Sequence, residues 1–74
     1  MNVERLIVMA NDIANFFAAE PDTEAAIDGV ANHLRKFWEP RMRKQIVAHV
    51  QAFGAAGLST LASAAVTRLA QTET

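Results

Sequence analysis

The sequence contains no cysteine and no tyrosine, and only three glycines and two prolines occur among its 74 residues. Without cysteine it cannot form a disulfide, a thiolate metal site or a cysteine-ligated iron–sulfur cluster. Its longest fully apolar stretches are far shorter than the roughly 20 residues that span a bilayer. The first residues follow an amphipathic pattern rather than that of a secretion signal. These absences together predict a cytoplasmic protein.

The short length limits how much apolar surface the chain can bury. It allows one domain, which we place at residues 1–74. A domain of about 60 residues buries only about 60% of the surface that its unfolded chain exposes. The core is therefore thin, and without covalent crosslinks a net stability of only a few kcal/mol is expected. Such a chain gains stability by docking onto a larger partner.

Apolar residues recur at three- and four-residue steps along the whole sequence, which is typical of amphipathic helices. Proline or glycine interrupts this pattern at three places, namely Pro21, Glu39–Pro40 and Gly54–Gly57. No segment alternates with the period of two that indicates a strand. The sequence therefore predicts an all-α fold, a small bundle of about four short helices, the last ending near Gln71.

Each predicted helix has a suitable residue at its start. Asn2, Asp22 or Thr23, and Ser59 or Thr60 can cap the first, second and fourth helices, and Pro40 fits the first position of the third. Gly29 interrupts the second helix at a cost of about 1 kcal/mol relative to alanine, which a close approach by another helix would explain. The fourth helix is rich in alanine, so we expect it to pack least firmly. The last three residues, 72–74, are expected to fray.

The charges are distributed unevenly, although the net charge is only −1. Residues 1–28 carry six acids against one base, whereas residues 29–50 carry five bases against one acid. The remaining residues are balanced. An uneven charge distribution of this kind affects how a partner is attracted and oriented more than it affects the fold.

The sequence offers little support for catalysis or metal binding. His33 and His49 are the only histidines, they lie on different predicted helices, and neither has a second ligand four residues away. Packing or surface roles are favoured for both. The serines and threonines have no neighbouring base, and Gly54-x-x-Gly57 lacks the strand that precedes a phosphate loop. We therefore predict no catalytic residue, no cofactor-binding residue and no metal ligand.

The most informative segment is residues 35–44, which holds five of the seven bases around the only tryptophan. Arg41 and Arg43 lie near a predicted helix start, where cations oppose the helix dipole, so local stability would not select them. Binding to a partner that carries carboxylates or phosphate would favour arginine at these two positions. Arginine and tryptophan are also enriched at interface hot spots. We therefore predict that five residues bind a partner: Arg35, Lys36, Trp38, Arg41 and Arg43.

Two other interpretations of this segment remain open. Trp38 and Pro40 could simply lock the corner between the second and third helices. Basic residues around an aromatic side chain could also bind nucleic acid. The acidic net charge and the lack of a base-reading recognition helix disfavour that interpretation.

At this segment the sequence resembles a known family. Residues 36–43, Lys-Phe-Trp-Glu-Pro-Arg-Met-Arg, closely resemble the signature of the delta subunit of soluble NAD-dependent formate dehydrogenases containing molybdenum or tungsten. That family usually has aspartate at the position of Glu39. Residues 6–17, 30–35 and 57–59 are similar to the family's opening, to its helix before the tryptophan and to its late turn.

The resemblance implies a non-catalytic subunit of a larger complex that contains alpha, beta and gamma subunits. It would bind the alpha subunit, which carries the molybdopterin-type metal centre and iron–sulfur clusters, and aid assembly, cofactor insertion or stability. No cofactor, nucleic acid or membrane is expected to bind the chain itself. The alternative is a free-standing helical interaction module, either a homodimer or a nucleic-acid binder.

Overall fold

The computed structural model describes residues 2–72, which form four helices joined by short loops. The helices are α1 (Val3–Phe17), α2 (Thr23–Phe37), α3 (Pro40–Phe53) and α4 (Thr60–Thr72). The predicted all-α bundle is confirmed, and each predicted break separates two helices. Within the described residues, no helix combines the length and apolar character needed to cross a membrane.

The helix starts follow the capping chemistry that the sequence predicts. Asn2 accepts a hydrogen bond of 2.7 Å from a first-turn amide of α1, and Asp22 accepts one of 3.0 Å at the start of α2. Ser59 accepts one of 3.1 Å at the start of α4. Each cap satisfies an amide that has no partner within its helix. At α3, Pro40 lacks the amide that would otherwise need a cap.

The core draws on all four helices, and α4 packs most extensively against α2. The buried residues of α4 are almost completely enclosed, and they are Ala62, Ala65, Val66 and Leu69. The expectation that α4 packs least firmly is therefore wrong. Small side chains allow helix axes to approach closely, so an alanine-rich helix fits the middle of a thin core.

Gly29 lies against an aromatic ring from α1, as the expected close approach requires. A Cβ atom at position 29 would lie 2.6 Å from Cε1 of Phe17. This is far shorter than an ordinary carbon–carbon contact. The space beside Gly29 is therefore occupied by the Phe17 ring, and α1 and α2 meet closely at this point.

The loop between α3 and α4 is fastened to α1 by one side chain. The amide of Asn11 donates to the carbonyl of Gly57 and accepts from the backbone amide of Ser59, both at 2.9 Å. Gly57 has a φ of 84°, a conformation that glycine adopts without strain. Asn11 thereby fixes where α4 begins.

The contact at Gly29 yields a test of the packing. Replacing glycine by alanine inside a helix adds about 1 kcal/mol of helix propensity, but displacing a packed ring costs about 1–3 kcal/mol. We expect Gly29→Ala to lower the free energy of unfolding by on the order of 1 kcal/mol. In a Phe17→Ala background the same change should be stabilising. Urea denaturation measures both, and stabilisation by Gly29→Ala in the native background would contradict the packing.

Candidate protein-binding corner

The five predicted partner-binding residues meet where α2 ends and α3 begins. Trp38 is the C-cap of α2, with an extended backbone and only 5% of its surface exposed. Its ring belongs to the core cluster. Glu39 is also extended, as expected of a residue before proline. The chain therefore turns sharply here around a buried indole, which agrees with a locking role for Trp38.

Arg43 reaches from α3 to the end of α2. Its Nη1 donates hydrogen bonds to the carbonyl of Trp38 and, at 3.3 Å, to the carbonyl of Arg35. Carbonyls in the last turn of a helix lack helical partners and form the negative end of its dipole. A cation from α3 therefore caps α2. The expectation that local stability would not select Arg43 is wrong. Its positive charge is unfavourable at the start of its own helix, α3, but it stabilises the end of α2.

Arg35 joins α2 to the end of α4. The residue is half-buried, and its guanidinium donates hydrogen bonds to Asn32 Oδ1 and, at 2.7 Å, to Thr72 Oγ1. The Thr72 hydroxyl in turn donates to the carbonyl of Leu69 at 3.0 Å. Fraying was expected at residues 72–74, but Thr72 is helical and anchored; residues 73 and 74 lie outside the described part of the chain. Arg35 thus holds two helix ends together.

Lys36 and Arg41 lie on the outside of the same corner. Both are exposed, and within residues 2–72 neither side chain has a hydrogen bond or an ion pair. Their positive charges are therefore available to another molecule. The corner has two parts: Trp38, Arg35 and Arg43 shape it from within, and Lys36 and Arg41 present cations to solvent.

Phe37 also faces outward, which sequence reasoning missed. Phe37 follows Leu34 at a three-residue step, and this apolar spacing predicts that its ring lies on the core stripe of α2. Instead, 71% of its surface is exposed. The ring lies 4.7 Å from that of His33, one turn earlier. Successive helical residues point about 100° apart, so Phe37 and Trp38 cannot both enter a thin core. The pairing of two bulky aromatics in sequence was the signal that one of them had to lie outside.

Arg68 forms ion pairs with two carboxylates of α2. Its Nη2 lies 2.7 Å from Glu24 Oε1, and its Nη1 lies 2.9 Å from Asp28 Oδ1. The hydrogen bond that Arg68 donates to Asp28, followed in size by the one it donates to Glu24, raises the pKa of Arg68 above its ordinary value. These ion pairs link α4 to α2 and involve two of the six acidic residues in the range 1–28. Glu24 and Asp28 are thus engaged by Arg68 and do not pair with the cations of the corner.

The two histidines have local contacts. The ring of His33 lies against Phe37, and Nε2 of His49 donates to the carbonyl of Ala56 at 3.0 Å. Across the described residues, no group of three or more histidine and carboxylate side chains is placed to hold a metal ion. In the described part of the chain, the residues of the corner thus present charges and a defined shape and do not form a set of metal ligands.

Comparison with known proteins identifies one family. The profile of the family described as NADH-dependent formate dehydrogenase delta subunit FdsD matches residues 5–66. Neither the curated proteins nor the solved structures that were compared contain a match. The matched range includes the whole corner and all but the last six residues of α4.

The different roles of two neighbouring arginines yield a matched test. Hydrogen bonds from a charged group contribute about 1.5–3 kcal/mol, so Arg43→Met should lower the free energy of unfolding by about 2 kcal/mol. Arg41→Met, which removes an exposed cation, should change it by less than about 0.5 kcal/mol. Urea unfolding followed by Trp38 fluorescence compares the two. Equal effects would contradict the capping of α2 by Arg43.

Proposed function

Because the chain belongs to the family of delta subunits of NADH-dependent formate dehydrogenases, we propose that it is a non-catalytic subunit that binds the alpha subunit through the cationic corner. Binding would aid assembly, cofactor insertion or stability of that subunit. The observation that carries this proposal is the outward position of Lys36 and Arg41, which have no counter-ion among the described residues. A partner surface with carboxylates would complement them.

A non-catalytic role is supported by how the polar side chains are used. A nucleophile needs a base within hydrogen-bond distance. The Ser59 hydroxyl instead caps α4, and the hydroxyls of Thr67 and Thr72 donate to backbone carbonyls. His49 donates to a carbonyl of its neighbouring loop. These groups are engaged in holding the bundle together.

The inner part of the corner supports binding by fixing the geometry of its outer part. Trp38 anchors the turn in the core, and Arg43 ties α3 to the end of α2. A surface that is ordered before binding loses less conformational freedom on association. Trp38, Arg35 and Arg43 would therefore act as positioning residues, whereas Lys36 and Arg41 would contact the partner directly.

Binding of this kind has a direct consequence for the partner. A molecule that binds only the folded state stabilises it by about 2.7 kcal/mol when its free concentration is about 100 times the dissociation constant. The stabilisation is mutual, and the chain has only a thin core of its own. Assembly support thus follows from mass action without any chemical step on this subunit.

The docking role of the outer cations is tested by removing their charges. We expect Lys36→Gln with Arg41→Gln to fold normally but to lose most co-purification with the alpha subunit. The matched control is Gln51→Glu with Thr60→Glu, which lowers the net charge by the same two units at exposed positions elsewhere. The control should co-purify as the native chain does. Wild-type yield from the first variant would contradict docking at the corner.

The assembly role is tested by the metal content of the enzyme. Formate dehydrogenase purified from cells that lack this chain should contain less molybdenum or tungsten per alpha subunit, measured by elemental analysis. Supplying the native chain should restore the ratio, whereas supplying the Lys36→Gln, Arg41→Gln variant should not. Normal metal loading and a normal yield of alpha subunit without the chain would overturn the assembly role.

A further inference from the structure

Aromatic side chains form a surface across α1 and α2, which we name the aromatic face (Phe16, Phe17, His33 and Phe37). Phe16 is 80% exposed, and its ring meets that of Phe17 edge-on at 5.3 Å. A shallow groove runs between these rings and His33, which contacts Phe37 at 4.7 Å. The rings therefore form one connected surface rather than scattered exposed residues.

The aromatic face ends at the cationic corner. Phe37 is the last residue of α2, and Lys36 precedes it in the chain. Arg41 lies in the first turn of α3, immediately beyond the bend. An apolar surface bordered by charges at one end is typical of an interface, in which aromatic anchors are surrounded by polar residues.

The size of an ordinary interface indicates why the corner needs this neighbouring surface. Stable complexes bury about 800 Å² on each partner, which is roughly a sixth of the 4545 Å² that this chain exposes. Two outer cations supply only a small part of such an area. One buried phenylalanine contributes about 150–250 Å². A partner that contacts Lys36 and Arg41 must therefore extend over adjacent surface, and the aromatic face begins there.

We propose that the aromatic face receives an apolar segment of the alpha subunit, and that carboxylates at one end of that segment meet Lys36 and Arg41. This inference rests on the proposed function and names the surface that performs it. The segment would place large apolar side chains over the groove between Phe16 and His33 and over Phe37. Apolar anchors would supply affinity, and the ion pairs would set orientation and rate.

Phe53 is an internal control because its position and contacts closely resemble those of Phe37. Each is the last residue of its helix and is 71% exposed. Each has a histidine four residues earlier, with rings 4.7 Å apart for His33 and Phe37 and 5.5 Å apart for His49 and Phe53. Phe53 ends α3, whereas the corner lies at the start of α3. The two positions differ mainly in whether they adjoin the corner.

The experiment compares Phe16→Ser with Phe37→Ser, as a double variant, against Phe53→Ser. Each full-length tagged chain is co-expressed with the formate dehydrogenase subunits, and the affinity of the purified variant for the alpha subunit is measured. The double variant should bind at least about 30-fold more weakly, since hot-spot side chains are each worth that much. The Phe53 variant should bind within about threefold of the native chain, as neutral surface positions do. Circular dichroism and Trp38 emission verify folding.

Photo-crosslinking tests the same surface without weakening it. A benzoylphenylalanine at position 16 or 37 should crosslink to the alpha subunit in the intact complex, to a peptide with apolar and acidic residues. The same probe at position 53 should not. Crosslinks from position 53 alone, or native affinity of the double variant, would overturn the inference while leaving the proposed function standing.

Two further outcomes distinguish failure of the proposed function from failure of the inference about the aromatic face. If the native chain does not associate with the alpha subunit at all, the proposed function fails and the inference fails with it. If the isolated chain sediments as a dimer that Phe37→Ser converts to a monomer, while binding to the alpha subunit is unchanged, the occupant of the face is a second copy. That result would also overturn the inference.

Discussion

The hydrogen bonds from Arg43 to the last carbonyls of α2 determine how the second and third helices meet. A helix end buried without partners is costly, and here a cation from the next helix meets that need. The same bend directs Trp38 into the core. The turn is thus held from both sides, by a charged group on its carbonyls and by an indole beneath it.

This arrangement separates structural from exposed residues within a short segment of sequence. Arg35, Trp38 and Arg43 are committed to contacts inside the bundle, whereas Lys36, Phe37 and Arg41 face outward. An aromatic ring and two cations are consequently presented on a fixed frame, next to the rings of α1. The uneven charge distribution also has a structural consequence, because two acids of α2 pair with Arg68 and so link α2 to α4.

Much of the fold could be predicted because its signals are local. Caps such as Asn2 and Asp22 and breaks such as Pro40 act through their own neighbours in the chain. The roles of Arg43 and Phe37 and the burial of α4 depend on distant groups. The helix dipole at the start of α3 took account only of Arg43's own helix. Apolar periodicity placed Phe37 on the core stripe of α2, although the neighbouring Trp38 occupies the core instead. The prediction of partner contact by Lys36 and Arg41 remains a prediction.

We propose that this chain meets the formate dehydrogenase alpha subunit with its pre-formed corner and aromatic face. A structure of the intact enzyme containing this subunit tests it most directly. In that structure we expect Lys36, Phe37 and Arg41 to be covered by the alpha subunit, while Trp38 stays in its own core and Arg43 keeps its hydrogen bonds to α2. An interface formed by the far side of α3 and α4, with the corner open to solvent, would contradict it.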